Sequence, residues 1–256
     1  MTFPVYNRGL VYHKVSEERE WGITTTTPKQ FKAQIDLLSR LGFSFSTIRD
    51  KDEVENPILI TFDDGYTCVR EHAEPVLRAH GGVGTVFAIT DYVGKMNSWD
   101  YFPKDKQILH MDWTQLRELS DQGWEIGSHG KSHRRMIHMR TRELRKELRD
   151  SKKQLEQKLG VEIITFCPPF NAWNSELLYE VEQAGYTRMA ISYPLDGLPS
   201  WSGEFIPRLG VYLHDALPLF RAKIQADLLS PVEVIQQQLI NHLGDGKILE
   251  NWLKPS

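Results

Sequence analysis

Short apolar runs alternate with amphipathic stretches along most of this chain, and that alternation limits the fold more than any other feature. The apolar runs fall at residues 10–12, 58–62, 83–89, 124–127, 163–166, 188–192 and 205–211. Between them lie stretches with helical signals. Thr27-Pro28 reads as an N-cap and first helical residue, with Phe31, Ile35, Leu38 and Leu41 on one face and Gly42 closing the helix. A second helix is expected at about 69–80. Asp112 with Gln115 has the form of a capping box, opening a helix that Gly123 ends. Residues 141–159 place Leu144, Leu148, Leu155 and Leu159 on one face, and 174–185 and 231–243 are also expected to be helical. About seven strands joined by helical crossovers imply parallel pairing, as a closed barrel or a doubly wound sheet. A chain of 256 residues holds one such barrel with an irregular edge. No linker or repeat divides it, so 1–256 is expected to be a single domain.

Charge and cysteine usage exclude several classes. Thirty-one Lys and Arg against 34 Asp and Glu leave a net charge of −3, which disfavours a nucleic-acid or membrane-surface binder that depends on a strong positive field. Residues 134–158 are locally basic, but Glu143, Glu147, Asp150 and Glu156 interrupt them at helical spacing, so a solvated helix face is expected. Cys68 and Cys167 make no disulfide framework. No run reaches the ~20 apolar residues of a membrane span, and the first residues lack a secretion signal. A cytoplasmic protein is expected as sequenced, or an extracytoplasmic one if a signal has been trimmed. Oligomeric state is not legible.

Two segments place chemically unusual residues directly after apolar runs. In Thr61-Phe-Asp63-Asp64-Gly65-Tyr66, neighbouring side chains on a regular strand would face opposite ways. A bend at Gly65 can turn both carboxylates into one pocket, one to hold a cation and one free as a base; an exposed Asp-Asp-Gly turn is the bland alternative. In Ser128-His129-Gly130-Lys131-Ser132-His133, two histidines four residues apart can converge on one ion. With Asp64 they make two imidazoles and a carboxylate, a set suited to Zn²⁺ with a position open for water. Non-haem iron shares that set, although the alternating pattern does not match the antiparallel sheets of those oxygenases. The adjacency of Asp63 and Asp64 excludes an Asp-x-Asp phosphatase.

Together the two segments resemble the polysaccharide deacetylase family (carbohydrate esterase family 4, the NodB homology domain), with the likeness running from Leu10 to about Val211. The resemblance implies a distorted (β/α) barrel of about seven parallel strands and a metal-dependent hydrolase that removes N-acetyl groups from an N-acetylated glycan or amino sugar. By motif it implies Asp63 as general base, Asp64, His129 and His133 as metal ligands, and the Tyr66 backbone N–H as an oxyanion donor. A family segment usually containing Arg-Pro-Pro-Tyr-Gly is matched by Cys167-Pro168-Pro169-Phe170-Asn171, so Cys167 stands where the arginine that orients the base would be. Leu10-Val-Tyr-His13 resembles a Leu-x-x-His element that the family usually carries near its C-terminus. This matches the permuted order of the poly-N-acetylglucosamine deacetylase branch, with His13 as general acid. His214, in Val211-Tyr-Leu-His214, is the competing acid.

Pro169, Phe170 and Trp173 lead the candidates for substrate contact, and Tyr66, Trp99, Tyr101 and Trp201 are further aromatics in expected loops. Residues 98–103 could form a flap, while Arg208 and Asp196 fall near later strand ends, either as supporting residues behind the site or in structural salt bridges. Zinc is the expected ion, with cobalt, nickel and iron able to accept the same donors. The rival readings are an amidase acting on a small non-sugar amide or cyclic imide, and a carbohydrate-binding protein with a degenerate site.

Overall fold

A computed structural model describes residues 9–18, 23–98, 108–192 and 198–225. The strands are β1 (Gly9–Tyr12), β2 (Lys14–Val15), β3 (Thr25–Thr26), β4 (Ser44–Ser46), β5 (Pro57–Phe62), β6 (Thr85–Ala88), β7 (Glu125–Ser128), β8 (Thr165–Phe166), β9 (Arg188–Ser192) and β10 (Glu204–Gly210). The helices are α1 (Pro28–Arg40), α2 (Glu74–Ala79), α3 (Trp113–Asp121), α4 (Thr141–Leu159), α5 (Ser175–Gln183) and α6 (Leu217–Gln225). Seven strands close a ring in the order β1-β10-β9-β8-β7-β6-β5, with β5 returning to β1. Every pairing in the ring is parallel. The expected seven-strand (β/α) barrel is therefore present.

Closure is made at β5. Leu59 pairs with Gly9 of β1 and Ser46 of β4, and Thr61 pairs with Val11 of β1 and Thr85 of β6. One side of β5 thus meets β1, and the other meets β4 and then β6. The alternation of strand side chains separates two cores. Ile58, Ile60 and Phe62 join the large cluster beneath the helices, whereas Leu59 joins Ile48, Phe87, Cys167, Ala190 and Ile206 inside the ring. A Cβ at Gly127 would meet the Phe87 ring at 2.6 Å, so the narrow interior requires glycine there. The interior is also polar. The Glu125 carboxylate accepts from Thr165 Oγ1, Thr85 Oγ1 and the Arg49 backbone N–H.

The helix caps follow their sequence signals. Thr27 accepts from Gln30 N, Asp112 and Gln115 cap each other, and Asn174 accepts from Leu177 N. Near α2 the structure departs from the expected regular helix. Residues 69–73 form a π-helical turn in which Glu74 N reaches back to Val69 O, directly before Pro75, which has no N–H to continue the ladder. β2, β3, β4 and α6 carry no sequence expectation, while the helix expected at 231–243 lies outside the described residues. Among the described residues, no helix is long and apolar enough to cross a membrane.

Candidate active site

Because the ring strands run parallel, their C-terminal ends share one rim. His13 follows β1, Asp63 follows β5, His129 follows β7 and Cys167 follows β8, so segments far apart in sequence meet there. The chain turns sharply as it leaves β5, with Asp64 at φ 70° and Gly65 at φ 72°. His133, Phe170 and Asn171 are also left-handed, at φ 56°, 61° and 51°. Four of the five non-glycine residues with positive φ among those described therefore lie in the site loops, where strain is tolerated because it aims side chains.

Ligand atoms of Asp64, His129 and His133 lie within 4.8 Å of one another, and all three residues are buried. Asp64 Oδ1 is 3.5 Å from His129 Nε2 and 3.3 Å from His133 Nε2. Although buried, Asp64 Oδ1 makes no hydrogen bond, an expensive state for a carboxylate oxygen unless a cation is to be coordinated. Burial would raise the Asp64 carboxyl, but the close approach and charge of His133, with the charges of His13 and His129, hold it far below the usual range. Burial pushes the His129 imidazole down to about 4. His129 Nδ1 lies 2.8 Å from the Cys167 carbonyl, so a neutral ring donates there and turns the lone pair of Nε2 toward Asp64. One ionised carboxylate and a ring already neutral at pH 7 suit a divalent cation.

Asp63 is held apart from this cluster. Arg208 Nη1 donates to Asp63 Oδ1 at 2.6 Å and Nη2 donates to Oδ2 at 3.1 Å. Arg208 is 2% exposed; its Nη1 also donates to Thr61 Oγ1, and its guanidinium lies 5.1 Å from the Phe87 ring centroid. Burial opposes ionisation of Asp63, but the Arg208 charge holds the carboxyl below its usual range. Burial raises the Cys167 thiol well above normal, so it stays protonated beside the ion pair.

His13 is half-buried, and its charge acts on both Asp63 and Asp64. His214 instead lies exposed on the turn after β10, stacked on Tyr212 with centroids 5.8 Å apart. Phe170, 38% exposed, places its ring centroid 4.8 Å from that of His133; Pro169 beside it is buried. Trp173 and Trp201 both pack on Phe205, at 5.6 and 5.2 Å. The Tyr66 ring is fully buried against His110, and its hydroxyl accepts from Asn97 Nδ2. The ring is therefore no stacking platform, although the Tyr66 backbone stays beside Asp64. Trp99, Tyr101, Asp196 and all of the 98–103 segment except Ser98 lie outside the described residues.

Two residues have a more definite part than the sequence assigns them. The sequence sets Arg208 near a strand end, behind the site or in a structural salt bridge, without naming Asp63 as its partner. The sequence puts Glu147 on a solvated face, yet it is 8% exposed and accepts from Lys131 N, Ser132 N and Ser132 Oγ. Its carboxylate fastens the loop between the two histidines. The available signal was its position on the wheel beside buried Leu144 and Ser151 rather than on the outer stripe.

Comparisons with known proteins place the chain among relatives of one family and fold. The polysaccharide deacetylase family model matches residues 50–189. YxkH of Bacillus subtilis (strain 168), assigned to the polysaccharide deacetylases, is 28% identical over 186 residues, covering 69% of this chain and 61% of that protein. A poly-β-1,6-N-acetyl-D-glucosamine N-deacetylase of Staphylococcus aureus (strain MSSA476) is 25% identical over 208 residues, covering 76% of this chain and 70% of that protein. In fold, the chain is similar to the Streptococcus pyogenes deacetylase PplD, with TM-score 0.72 and 16% identity over 87% of this chain and all of the other. It is also similar to IcaB from Ammonifex degensii, with TM-score 0.67 and 23% identity over 85% of this chain and 96% of the other.

Proposed function

This chain belongs to the polysaccharide deacetylase family, and from that membership we propose that it hydrolyses the N-acetyl groups of an N-acetylated sugar or polysaccharide, as a single catalytic unit. The observation that carries this reading is the separation of roles on the rim. Two buried imidazoles flank a buried Asp64 oxygen that makes no hydrogen bond, while the neighbouring Asp63 is ionised and held elsewhere by Arg208. Asp64, His129 and His133 would hold the ion, with Zn²⁺ proposed from the two-imidazole, one-carboxylate set. A divalent cation bound there supplies polarisation of the acetyl carbonyl and makes water more acidic.

The chain's own residues complete the reaction. Asp63, kept ionised by Arg208, accepts the proton of the attacking water. The Tyr66 backbone N–H donates to the oxyanion forming on the carbonyl oxygen, a contribution of about 3–4 kcal/mol for a well-placed donor. His13 gives a proton to the departing nitrogen as its bond to carbon breaks, so acetate and a free amine leave. Proton transfer at that stage is worth roughly 10²–10⁴-fold. Phe170, seated on His133 with part of its ring exposed, is proposed to meet the sugar, with Pro169 and Trp173 shaping the wall behind it. His13 is favoured over His214 as acid because it follows β1, which pairs with β5 and accepts from the Asp63 backbone N–H at Tyr12 O, whereas His214 is exposed on the turn after β10.

The test is acetate and free-amine release from a panel of N-acetylglucosamine oligomers, run beside a cyclic imide. Asp63→Asn is expected to keep the metal and lose turnover, whereas His129→Ala loses both. Full activity in Asp63→Asn would remove the assigned base, and turnover of the imide alone would replace the substrate class.

A further inference from the structure

The sequence resemblance places an arginine immediately before the Pro-Pro pair, and this chain has Cys167 there. The base is nevertheless paired with an arginine, one that arrives from a different strand. Arg208 projects from β10, two places round the ring from β8, and its Nη2 ends 2.9 Å from Cys167 Sγ. The guanidinium therefore finishes against the side chain that stands at the family's arginine position. Cys167 is 2% exposed and its Sγ lies 3.6 Å from Asp63 Oδ2. Phe87 beneath the guanidinium and Thr61 at its edge fix the plane of the fork.

We propose that Arg208 is the base-positioning residue of this enzyme, and that the small thiol at Cys167 is what lets the arginine approach from β10. This rests on the function proposed above and specifies how its base is aimed. An ionised carboxylate offers about four lone-pair sites. Among the described residues, Nη2 and the thiol meet Asp63 Oδ2, and Nη1 meets Oδ1. One site is left, on Oδ1, so the arrangement selects the oxygen and direction from which Asp63 takes its proton. A lysine cannot reproduce this selection, because it is a point charge without the planar fork. An arginine added at 167 while Arg208 remains would force two guanidinium groups into one buried space.

These relations predict a reversal of sign that a merely structural role would not produce. Arg208→Ala is expected to lower kcat roughly 10²-fold, the scale of a base misplaced by about an ångström. Its KM stays within about threefold and its metal content is unchanged, as for a loss felt in the transition state. Cys167→Arg alone is also expected to lower kcat. The double variant Cys167→Arg with Arg208→Ala regains at least about tenfold over Arg208→Ala, because the guanidinium then enters from the family's position. Arg208→Ala leaves a buried carboxylate unpaired and could unfold, so Arg208→Lys keeps the charge and still shows the kcat loss. An Arg208→Ala variant with kcat within threefold of the parent overturns the proposal, and so does a double variant no faster than Arg208→Ala. Crystal structures of the metal-loaded variants give a readout independent of turnover. The Asp63 carboxylate should leave its position in Arg208→Ala and return in the double variant, and an unmoved carboxylate in Arg208→Ala would refute the proposal. If the parent protein releases no acetate from any glycan, the proposed function fails, while the carboxylate orientation still decides this inference.

Discussion

At the scale of single residues, burial sets protonation before any ion arrives. His129 is pushed down to about 4 from an ordinary 6.5 by desolvation, so the native state prefers the neutral ring. Above pH 6.5 the ring is neutral in both folded and unfolded chains, and the shift has no effect on stability. As pH falls from 6.5 toward 4, the unfolded chain binds a proton that the native site refuses. Native stability then declines by up to about 1.4 kcal/mol per pH unit from this group. Asp63 and Asp64 are depressed in the opposite chemical sense, so their contribution is lost only at lower pH, below their ordinary value of 3.8. Metal-free protein should therefore unfold at progressively lower urea between pH 6.5 and 4, and His129→Asn should flatten that slope while keeping a donor for the Cys167 carbonyl. Parallel slopes would dismiss the account. Asp63, Asp64, His129 and His133 were legible in the sequence because rare side chains stood next to strand ends in close spacing. Arg208 was legible only as a residue near a strand end, because its pairing with Asp63 is set by ring closure rather than by neighbours in sequence.

Elements determine how stiffly those side chains are presented. The loop from β7 to α4 carries both histidines, and its backbone is tied down by Glu147, one turn into α4 beyond the exposed Arg142 and Glu143. Two backbone N–H groups and the Ser132 hydroxyl converge on that carboxylate. Glu147→Ala should cost about 1–3 kcal/mol for each donor left without a partner, toward the lower end because the loop is half-buried. It should also weaken metal binding roughly 10–100-fold, the usual effect of losing a group that orients ligands. Competition with a chromophoric chelator measures this, and unchanged affinity would show that the loop holds its shape alone. The same contrast governs how legible the elements were. β1, β5 and β6 announced themselves because they are buried on both faces and read as near-continuous apolar runs. β2, β3 and β4 are two or three residues long, too short for any periodicity, and Ser44–Ser46 holds one apolar side chain. Glu147 was masked by its own neighbours, since on so charged a helix its place on the wheel beside Leu144 and Ser151 was a faint sign of facing inward.

On the scale of the molecule, the barrel brings His13 to the site. β1 pairs with β10 on one side and β5 on the other, so a histidine near the start of the chain stands beside aspartates about fifty residues later. The ligands sit on strand ends, whereas the fold is held by two apolar clusters that do not include them. Metal binding should accordingly be a modest addition to stability rather than a condition for folding, unlike small domains whose metal site is their core. An ion present at one hundred times its dissociation constant stabilises the native state by about 2.7 kcal/mol. For a chain of this size, each kcal/mol moves the midpoint by about 2–4 °C, so removing the ion should lower Tm by about 5–10 °C. A chelator should therefore abolish acetate release while leaving the far-ultraviolet circular dichroism of the helices intact at 25 °C, with activity returning when Zn²⁺ is added back. Collapse of the helical signal on chelation would show instead that the unbonded Asp64 oxygen, with its neighbours, is a keystone of the barrel and not a feature carried on its rim.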